Sequence, residues 1–455
     1  MDVSQIAAII IFVVMFIAIV FGHELRVDRF VPALVGAGLT IGVVFLLIMR
    51  SPEAVTSVLN LGQIGQLKFW IPGQEHIESH GINWQTIIFI AGMMAMVEGL
   101  GDAGFFRWIC LSLAKLVHYK VVPILVVFML LSGFLSMFID SITVLLFLAM
   151  VTIELARLLK FDPVPVIIAE IFAGNTGGAA TMSGDPPNII IGTALGYTFN
   201  DFLFNTGVIA WIGMLATLVF FYFAFRKALT TPMREELAEP AHYPQPREAI
   251  TDLRLFLTNT AIFLLVMVLI VTHAVTGLSM ALIGVIAASL TFLATPKRVT
   301  HIIRRVDWRT LVFFIGLFIT VGGLEETGLL EMLAEFIGRA SGGNVLLVIP
   351  IILWISAFAS AIIDNIPFAA TMVPVIVNLA QTAGVPLPTL AWTLALGTDI
   401  GGNATPIGAS ANVVGTAIAK KEGYPVSWGR FCKYALPAML LVVGLCWIYL
   451  VIRYA

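Results

Sequence analysis

The chain has 455 residues, of which 59% are hydrophobic and 11% are charged, with a formal net charge of −2. Soluble globular domains carry about a quarter charged residues, so this composition excludes an ordinary soluble protein and predicts one embedded in a membrane. Cys110, Cys432 and Cys446 lie far apart and the seven histidines lack metal-helix spacing, so we predict no disulfide framework, no metal centre and no cofactor.

Apolar stretches long enough to cross a bilayer, about 20 residues each, recur along the whole chain. The first follows Met1-Asp2-Val3-Ser4, which has no basic segment, and no cleavage site follows it, so we predict a span rather than a signal peptide. The first half is predicted to contain spans at 6–22, 31–49, 84–100 and 204–225, an external loop at 50–82, an interfacial helix at 104–118, an interrupted hairpin at 121–159 and a broken helix at 164–198.

A charged linker, 226–254, separates a first repeat at 1–225 from a second at 255–455. The second repeat is predicted to contain spans at 256–273, 278–294, 308–323 and 434–452, an interfacial helix at 328–339, a hairpin at 344–380 and a broken helix at 390–418. The same order of elements thus occurs twice.

Two constant offsets relate the halves. A shift of 224 positions aligns Trp84 with Trp308 and Asp140 with Asp364, without a gap over more than a hundred residues. It also aligns Gly99/Gly323, Gly177/Gly401, Gly184/Gly408 and Asn188/Asn412, and a shift of 248 aligns Ala33/Ala281 and Gly36/Gly284. Self-similarity at a fixed offset is the signature of an internal repeat.

The distribution of charge predicts the orientation. If each hairpin returns to its own side, each half crosses the membrane five times, and an odd number inverts the second half. The cytoplasmic segments then hold 21 of the 25 Lys and Arg residues, all but Arg50, Lys68, Arg339 and Arg453, as the positive-inside rule requires. We therefore predict a multi-pass plasma (inner) membrane protein with a cytoplasmic linker and both termini outside. Two crossings per hairpin would also give an odd number, so charge alone does not decide re-entrance.

Polar residues interrupt the apolar sequence at equivalent places in the two halves, namely the hairpin tips and the helix breaks at 174–188 and 398–412. Secondary transporters bind substrate and ions at such discontinuous helices. Non-helical backbone at this depth persists only where it is buried in protein or lines a cavity. The candidate substrate- and ion-binding residues are Asp140, Ser141, Thr143, Asn175, Thr176, Gly177, Thr181, Asp185, Asn188, Asp364, Asn365, Asp399, Gly401, Asn403, Thr405 and Asn412.

Each candidate also has a structural interpretation. Asp140 and Asp364 could bind a coupling ion, Na⁺ or H⁺, or could cap the helix that follows, and the two roles can coexist. Glycine pairs in the breaks would let the backbone unwind and expose carbonyl oxygens. Glu98 and Glu170 have no acidic counterpart in the other half; they could be proton-relay groups or lie near the membrane interface, and we favour the interface.

At these residues the sequence resembles the ion transporter superfamily, in the branch of arsenite permeases, NhaD-type sodium/proton antiporters and the melanosomal P protein. The resemblance rests on the tips Asp140-Ser141-Ile142-Thr143 and Asp364-Asn365-Ile366-Pro367 and on the run from Gly177-Gly178 to Asp185-Pro186-Pro187-Asn188. It implies an all-α membrane protein with two inverted repeats of five spans, a scaffold and a mobile transport part. It also implies elevator-like movement and a homodimer, and it leaves open a soluble ATPase partner.

The resemblance and the tips together predict ion-coupled transport. Sodium/dicarboxylate carriers of the superfamily carry Ser-Asn-Thr at both tips, whereas this chain has an acid first and no Lys or Arg at either tip, which disfavours a dicarboxylate. We therefore expect proton-coupled efflux of arsenite or a related small inorganic substrate, with NhaD-type sodium/proton antiport as the alternative. A channel would need a continuous polar lining and an enzyme a reactive constellation, and we find neither pattern, nor one for nucleic acid.

Overall fold

The computed structural model describes residues 1–20, 22, 27–72, 81–230 and 243–455, and every regular element in these ranges is helical. Ten of the helices are long and apolar enough to cross a membrane, five in each half. The all-α membrane fold predicted from the sequence is confirmed.

In the described residues of the first half we label eleven helices in chain order, leaving out the short 3-10 helix Leu61–Gln63. They are α1 (Val3–Val20), α2 (Phe30–Ile48), α3 (Pro52–Leu59), α4 (Leu67–Trp70), α5 (Trp84–Asp102), α6 (Phe105–Leu116), α7 (Val121–Leu135), α8 (Ser141–Leu159), α9 (Val164–Gly178), α10 (Pro186–Leu195) and α11 (Phe199–Leu229). We call α7 and α8 hairpin 1, and α9 and α10 broken helix 1.

The second half repeats this order. Its helices are α12 (Leu253–Thr276), α13 (Met280–Ala294), α14 (Val299–Arg305), α15 (Trp308–Glu326), α16 (Leu329–Ser341), α17 (Val345–Ile362), α18 (Asn365–Ala383), α19 (Leu387–Gly401), α20 (Ser410–Lys421) and α21 (Trp428–Tyr454). We call α17 and α18 hairpin 2, and α19 and α20 broken helix 2.

Contacts between the halves define two faces of the molecule. On the linker face, Asp28 pairs with Arg309 at 2.6 Å, and Gly104 packs against the backbone of Ala249 in the linker. On the opposite face, the side-chain amide of Gln5 donates to the Thr327 carbonyl at 3.0 Å. Helix α1 therefore runs from the opposite face to the linker face, and α15 runs the other way.

The two hairpins enter from different faces. Hairpin 1 opens at the linker face, where Arg107 of α6 pairs with Glu154 of α8 at 2.6 Å. Hairpin 2 opens at the opposite face, where Gly338 of α16 packs against Leu379 of α18. This is the arrangement that inverted repeats require.

Close glycine contacts join the halves. A Cβ on Gly92 of α5 would overlap the Gly284 backbone of α13, and a Cβ on Gly316 of α15 would lie 2.7 Å from the Ala33 carbonyl of α2. The helices α1, α2, α5, α12, α13 and α15 pack on one another as a scaffold group, and the hairpins, broken helices, α11 and α21 pack as a hairpin group. The candidate site lies within the hairpin group.

The helix breaks differ from the sequence prediction in extent. We expected the first break to begin at residue 174, but α9 remains helical through Gly177 and Gly178, and the non-helical segment is 179–185. Proline restarts the helix at Pro186, because a first-turn position needs no backbone N–H. Helix α19 likewise continues to Gly401, and Gly402 begins a short 3-10 turn. The helices therefore unwind after Gly178 and after Gly401, later than expected.

Two predicted loops also contain helix. The predicted external loop at 50–82 includes α3 and α4, and its residues 73–80 lie outside the described residues. In the linker, a short 3-10 helix spans Pro246–Ala249, and residues 231–242 lie outside the described residues.

Candidate functional site

Both tip aspartates cap helices. Asp140 accepts hydrogen bonds from the backbone N–H of Thr143 at 2.9 Å and from its hydroxyl at 2.7 Å. Asp364 accepts one from the backbone N–H of Ile366 at 3.2 Å. Side-chain oxygens at this position satisfy N–H groups that the first helical turn leaves unpaired. The structural interpretation of these residues therefore holds, and Thr143 belongs to the cap.

The two hairpin tips meet at one carboxylate. The Ser141 hydroxyl donates to Asp185 Oδ1 at 3.0 Å, and the Asn365 amide donates to Asp185 Oδ2 at 2.7 Å. Ser141 and Asn365 are equivalent at the 224-residue offset, whereas Asp185 is matched by Ala409. Asp185 is buried. Equivalent residues from opposite faces thus bind a single carboxylate supplied by broken helix 1.

A second carboxylate lies beside the first. Asp399 of broken helix 2 is fully buried, and neither of its oxygens has a hydrogen-bond partner among the described residues. The groups that face its carboxyl are the Asp185 carboxyl and the Asn188 amide. Burying a charged group without hydrogen-bond partners costs free energy. The carboxyls of Asp185 and Asp399 are therefore suited to share a proton or a small cation between their oxygens.

Asparagine amides join the two broken helices. Asn175, which is equivalent to Asp399, donates to Asn403 Oδ1 at 3.0 Å and to Asn412 Oδ1 at 2.8 Å. The side-chain oxygens of Asn175 and Asn188 are buried and without partners in the described part of the chain. Oxygens of this kind are the ligands that hard cations prefer.

The break segments are fixed by the same amides and by threonines. Asn188 donates to the carbonyls of Gly178 and Thr181 at 3.2 and 3.0 Å. Its equivalent, Asn412, donates to the carbonyls of Gly402 and Thr405, both at 2.7 Å. These bonds satisfy carbonyls that a helix end leaves free.

The predicted threonines and glycines of the broken helices mostly contact the hairpins. Thr181 donates to the Met137 carbonyl of hairpin 1, and Thr405 donates to the Ala361 carbonyl of hairpin 2, both at 2.5 Å. Thr176 donates to a carbonyl of its own helix. A Cβ on Gly177 would overlap the backbone of Gly133 in hairpin 1, and one on Gly401 would overlap Ala357 in hairpin 2.

The tip of hairpin 2 also carries a contact that the sequence analysis missed. Arg29, at the start of α2, forms an ion pair with Asp364 and donates to the Ser410 hydroxyl at 3.0 Å. The expectation that no Lys or Arg lies at either tip is therefore wrong, because the cation comes from an element 335 residues away. The only signal in the sequence is that Arg29 has no counterpart, since the 248-residue offset matches it with Gly277.

A cavity leads to this tip from the linker face. It has a volume of about 170 Å³ and is lined by Asp28, Arg29, Phe30, Asp307, Arg309, Thr310, Phe313, Ile366 and Ser410. A narrower pocket extends toward Asp140 between Phe89, Met93 and Phe314, and Thr310 lines both spaces. The scaffold group and the two tips thus border two neighbouring cavities that share Thr310 in their walls.

Glu170 is buried inside the protein. It lies in α9, where the Thr152 hydroxyl donates to Oε1 at 2.5 Å and Oε2 has no partner within the described ranges. Glu98 does lie near a charged cluster, since Arg305 of α14 approaches it to 3.6 Å.

Comparison with known proteins agrees with this architecture. The chain is 36% identical to a 46 kDa membrane protein of Mycobacterium leprae, over 82% of this chain and 87% of that protein. It is 29% identical to the human P protein, over 90% of this chain and 58% of that protein. Among solved structures, the YdaH transporter of Alcanivorax borkumensis has a TM-score of 0.58 at 13% identity, covering 90% of this chain and 89% of that chain.

These similarities establish the class of protein. A second solved structure, MtrF of Neisseria gonorrhoeae, has a TM-score of 0.55 at 13% identity and covers 93% of each chain. At this identity the two structures show the fold alone. The family described as citrate transporter (CitMHS) matches residues 7–397. The chain is a multi-pass membrane transporter and belongs to the citrate transporter family.

Proposed function

We propose that the chain is a secondary active transporter whose coupling ion binds at the paired carboxylates of Asp185 and Asp399. The main support is that four elements meet at Asp185, namely the two hairpins and the two broken helices. The Asp185 carboxylate accepts hydrogen bonds from both hairpin tips and faces the carboxyl of Asp399. An ion bound there would contact both hairpins and both broken helices at once. Its binding could therefore bias how the whole hairpin group packs against the scaffold group, which is the physical requirement for coupling.

Elevator-type alternating access is the movement that fits this packing. The hairpin group and the scaffold group are each packed within themselves, and the cavity on the linker face lies between them. The positive-inside distribution supports a cytoplasmic linker face in the plasma membrane, so the cavity would open to the cytoplasm. We propose a homodimer, in which the scaffold groups would hold the two copies together.

The cargo that the cavity charges favour is small and neutral, such as arsenous acid. Asp28 pairs with Arg309, and Arg29 pairs with Asp364, so the charges cancel in pairs. Asp307 adds a negative charge, which repels an anion. The hydroxyls of Thr310 and Ser410 can exchange hydrogen bonds with a neutral hydroxide. We therefore propose proton-coupled efflux of arsenite or a related metalloid.

Two other cargoes have specific support. Sodium/proton antiport of NhaD type would use the partnerless oxygens of Asp399 directly for sodium. A carboxylate is supported by the family description and by Arg29, although the neighbouring acids oppose it. A passive channel has less support, because the polar groups concentrate at the tips and breaks.

Flux into proteoliposomes tests the coupling. The purified protein is reconstituted, and uptake of arsenite, sodium or citrate is measured under an imposed proton or sodium gradient. We expect one gradient to drive accumulation. Asp399→Asn, which keeps the shape but removes the charge, should lower gradient-driven accumulation at least tenfold.

A matched control is Asp252→Asn, which changes an exposed helix cap that Asn also provides. Accumulation that ignores both gradients, or that survives in Asp399→Asn, would contradict the proposal. Survival of a sensitive strain on arsenite compared with high sodium at alkaline pH then separates the first two cargoes.

A further inference from the structure

The two hairpin tips are equivalent in sequence but not in their contacts. At the tip of hairpin 2, Arg29 Nη1 contacts Asp364 Oδ2 and lies 3.0 Å from the Ser410 hydroxyl, which donates to the same carboxylate oxygen at 2.9 Å. At the tip of hairpin 1, the hydrogen bonds described for the Asp140 carboxylate come from Thr143. Hairpin 2 is therefore tied to another element through its aspartate, and hairpin 1 is capped from within.

The tie joins the two groups of helices. Arg29 immediately precedes α2, a scaffold helix that packs on α15, whereas Asp364 and Ser410 belong to hairpin 2 and broken helix 2. Any sliding of the hairpin group along the scaffold must separate Arg29 from Asp364. The side chain of Asp364 is only 5% exposed. A buried carboxylate that loses its cation needs another one, because an uncompensated buried charge is strongly unfavourable.

Other charges near this tip do not replace Arg29. In the cavity, Arg309 is bound to Asp28, and Asp307 accepts from the backbone and hydroxyl of Thr310. From broken helix 1, the Asp185 carboxyl lies close to Asp364, since it accepts from the neighbouring Asn365 amide at 2.7 Å. The surroundings of Asp364, apart from Arg29, are thus rich in acids, and they would attract a free cation into the place that the guanidinium occupies.

We propose that Arg29 is a tethered counter-ion that holds the hairpin 2 tip when no coupling cation is present, and that the cation, on its way from the linker face to the Asp185 and Asp399 carboxylates, competes with Arg29 for Asp364. This inference rests on the proposed ion-coupled function. The cation that reaches Asp364 releases Arg29 and with it the link between hairpin 2 and the scaffold group. The arginine thereby makes release of the hairpin group depend on cation binding and lowers the apparent affinity for the cation by competition.

The test measures cation binding without cargo. The melting temperature of the purified protein is followed against sodium concentration at fixed pH, since a ligand of the native state raises it. Arg29→Gln should lower the half-maximal sodium concentration about tenfold, because no tethered cation must be displaced. Arg29→Lys should restore the wild-type response.

Arg430→Gln is the matched control. Arg430 also joins two elements through an ion pair, with Asp162, and is as exposed as Arg29, but it does not touch a tip. Its cation response should equal that of the wild type. An unchanged response in Arg29→Gln, or an equal shift in the control, would overturn the inference.

Asp364→Asn keeps the proposal testable if Arg29→Gln does not fold. It should change the half-maximal sodium concentration, because neither Arg29 nor the cation then has a carboxylate to bind at this tip, and a wild-type response would show that Asp364 is not the group in competition. Failure of the proposed function is distinguishable, because the proteoliposomes would then show no gradient-driven flux while the competition measured by melting remained.

Discussion

Asp140 and Asp364 show how one residue type serves two environments within a duplicated protein. Both begin a helix and satisfy its first backbone N–H groups. Asp364 also binds Arg29 and Ser410, whereas Asp140 borders a narrow pocket lined by apolar side chains and Thr310. Substitution at Asp140 and substitution at Asp364 should therefore have different effects.

Two substitutions at Asp140 separate capping from charge. Asn keeps an oxygen that can accept from Thr143 but removes the charge, and Ala removes both. Asp140→Ala should lower the free energy of unfolding by about 1 kcal/mol through the lost cap. If Asp140 also takes part in coupling, Asp140→Asn should melt like the wild type but lose gradient-driven flux.

Thermal melting and flux on the same preparations provide the comparison. Wild-type flux in Asp140→Asn, together with a lower melting temperature in Asp140→Ala, would assign Asp140 to capping alone. Asp364→Asn, assayed in parallel, tells whether the two tips contribute differently.

Contacts within a motif could be predicted from the sequence at this scale, and contacts between distant elements could not. The caps of Asp140 and Asp364 follow from an acid beside the first helical turn. Arg29 lies in a charged segment of the kind that usually faces water, and nothing local indicates that it turns toward a tip. The burial of Glu170 could not be predicted either, because pattern alone does not tell a buried carboxyl from one at a helix end.

Gly177 and Gly401 set how closely the broken helices approach the hairpins. Each is helical, and each faces the backbone of its hairpin, at Gly133 and Ala357 respectively. The expectation that these glycines unwind the helix came from their usual freedom of backbone angle. Their function here is the absence of a side chain, which a sequence pattern does not distinguish from a need for flexibility.

Gly177→Ala should destabilise the junction between broken helix 1 and hairpin 1. The added methyl group meets backbone atoms that cannot move aside easily, so we expect a cost of about 1–3 kcal/mol. Gly444→Ala is the control, because a Cβ there meets nothing within 4 Å and the helix should gain up to about 1 kcal/mol. Melting temperatures in detergent should thus move in opposite directions, and a neutral Gly177→Ala would contradict the close contact.

The two inverted halves determine which elements begin at the linker face and which begin at the opposite face. The repeat was evident from the sequence because glycines and an aspartate kept one offset over the whole core of each half. The grouping of the helices could not be predicted from the sequence, because α5 packs on α13 and α2 packs on α15 across the two halves. Hydrophobicity is nearly uniform along such helices and does not specify partners.

Labelling of single cysteines tests the orientation. In a variant without Cys110, Cys432 and Cys446, cysteine replaces either Lys297 on the linker face or Glu331 on the opposite face, both exposed. A membrane-impermeant maleimide should label the cysteine at 331 in intact cells and the one at 297 only after lysis. Labelling of 297 in intact cells would reverse the proposed orientation.

The shared carboxylate at Asp185 has a consequence for stoichiometry. A duplicated protein could be expected to carry two identical ion sites, one in each half. Here each pair of equivalent positions contains one acid, because Asp185 is matched by Ala409 and Asp399 by Asn175. Since Ser141 and Asn365 both bind Asp185, the halves complete a single centre between them. Ion dependence at this centre should therefore be hyperbolic, with a Hill coefficient of about one for each protomer.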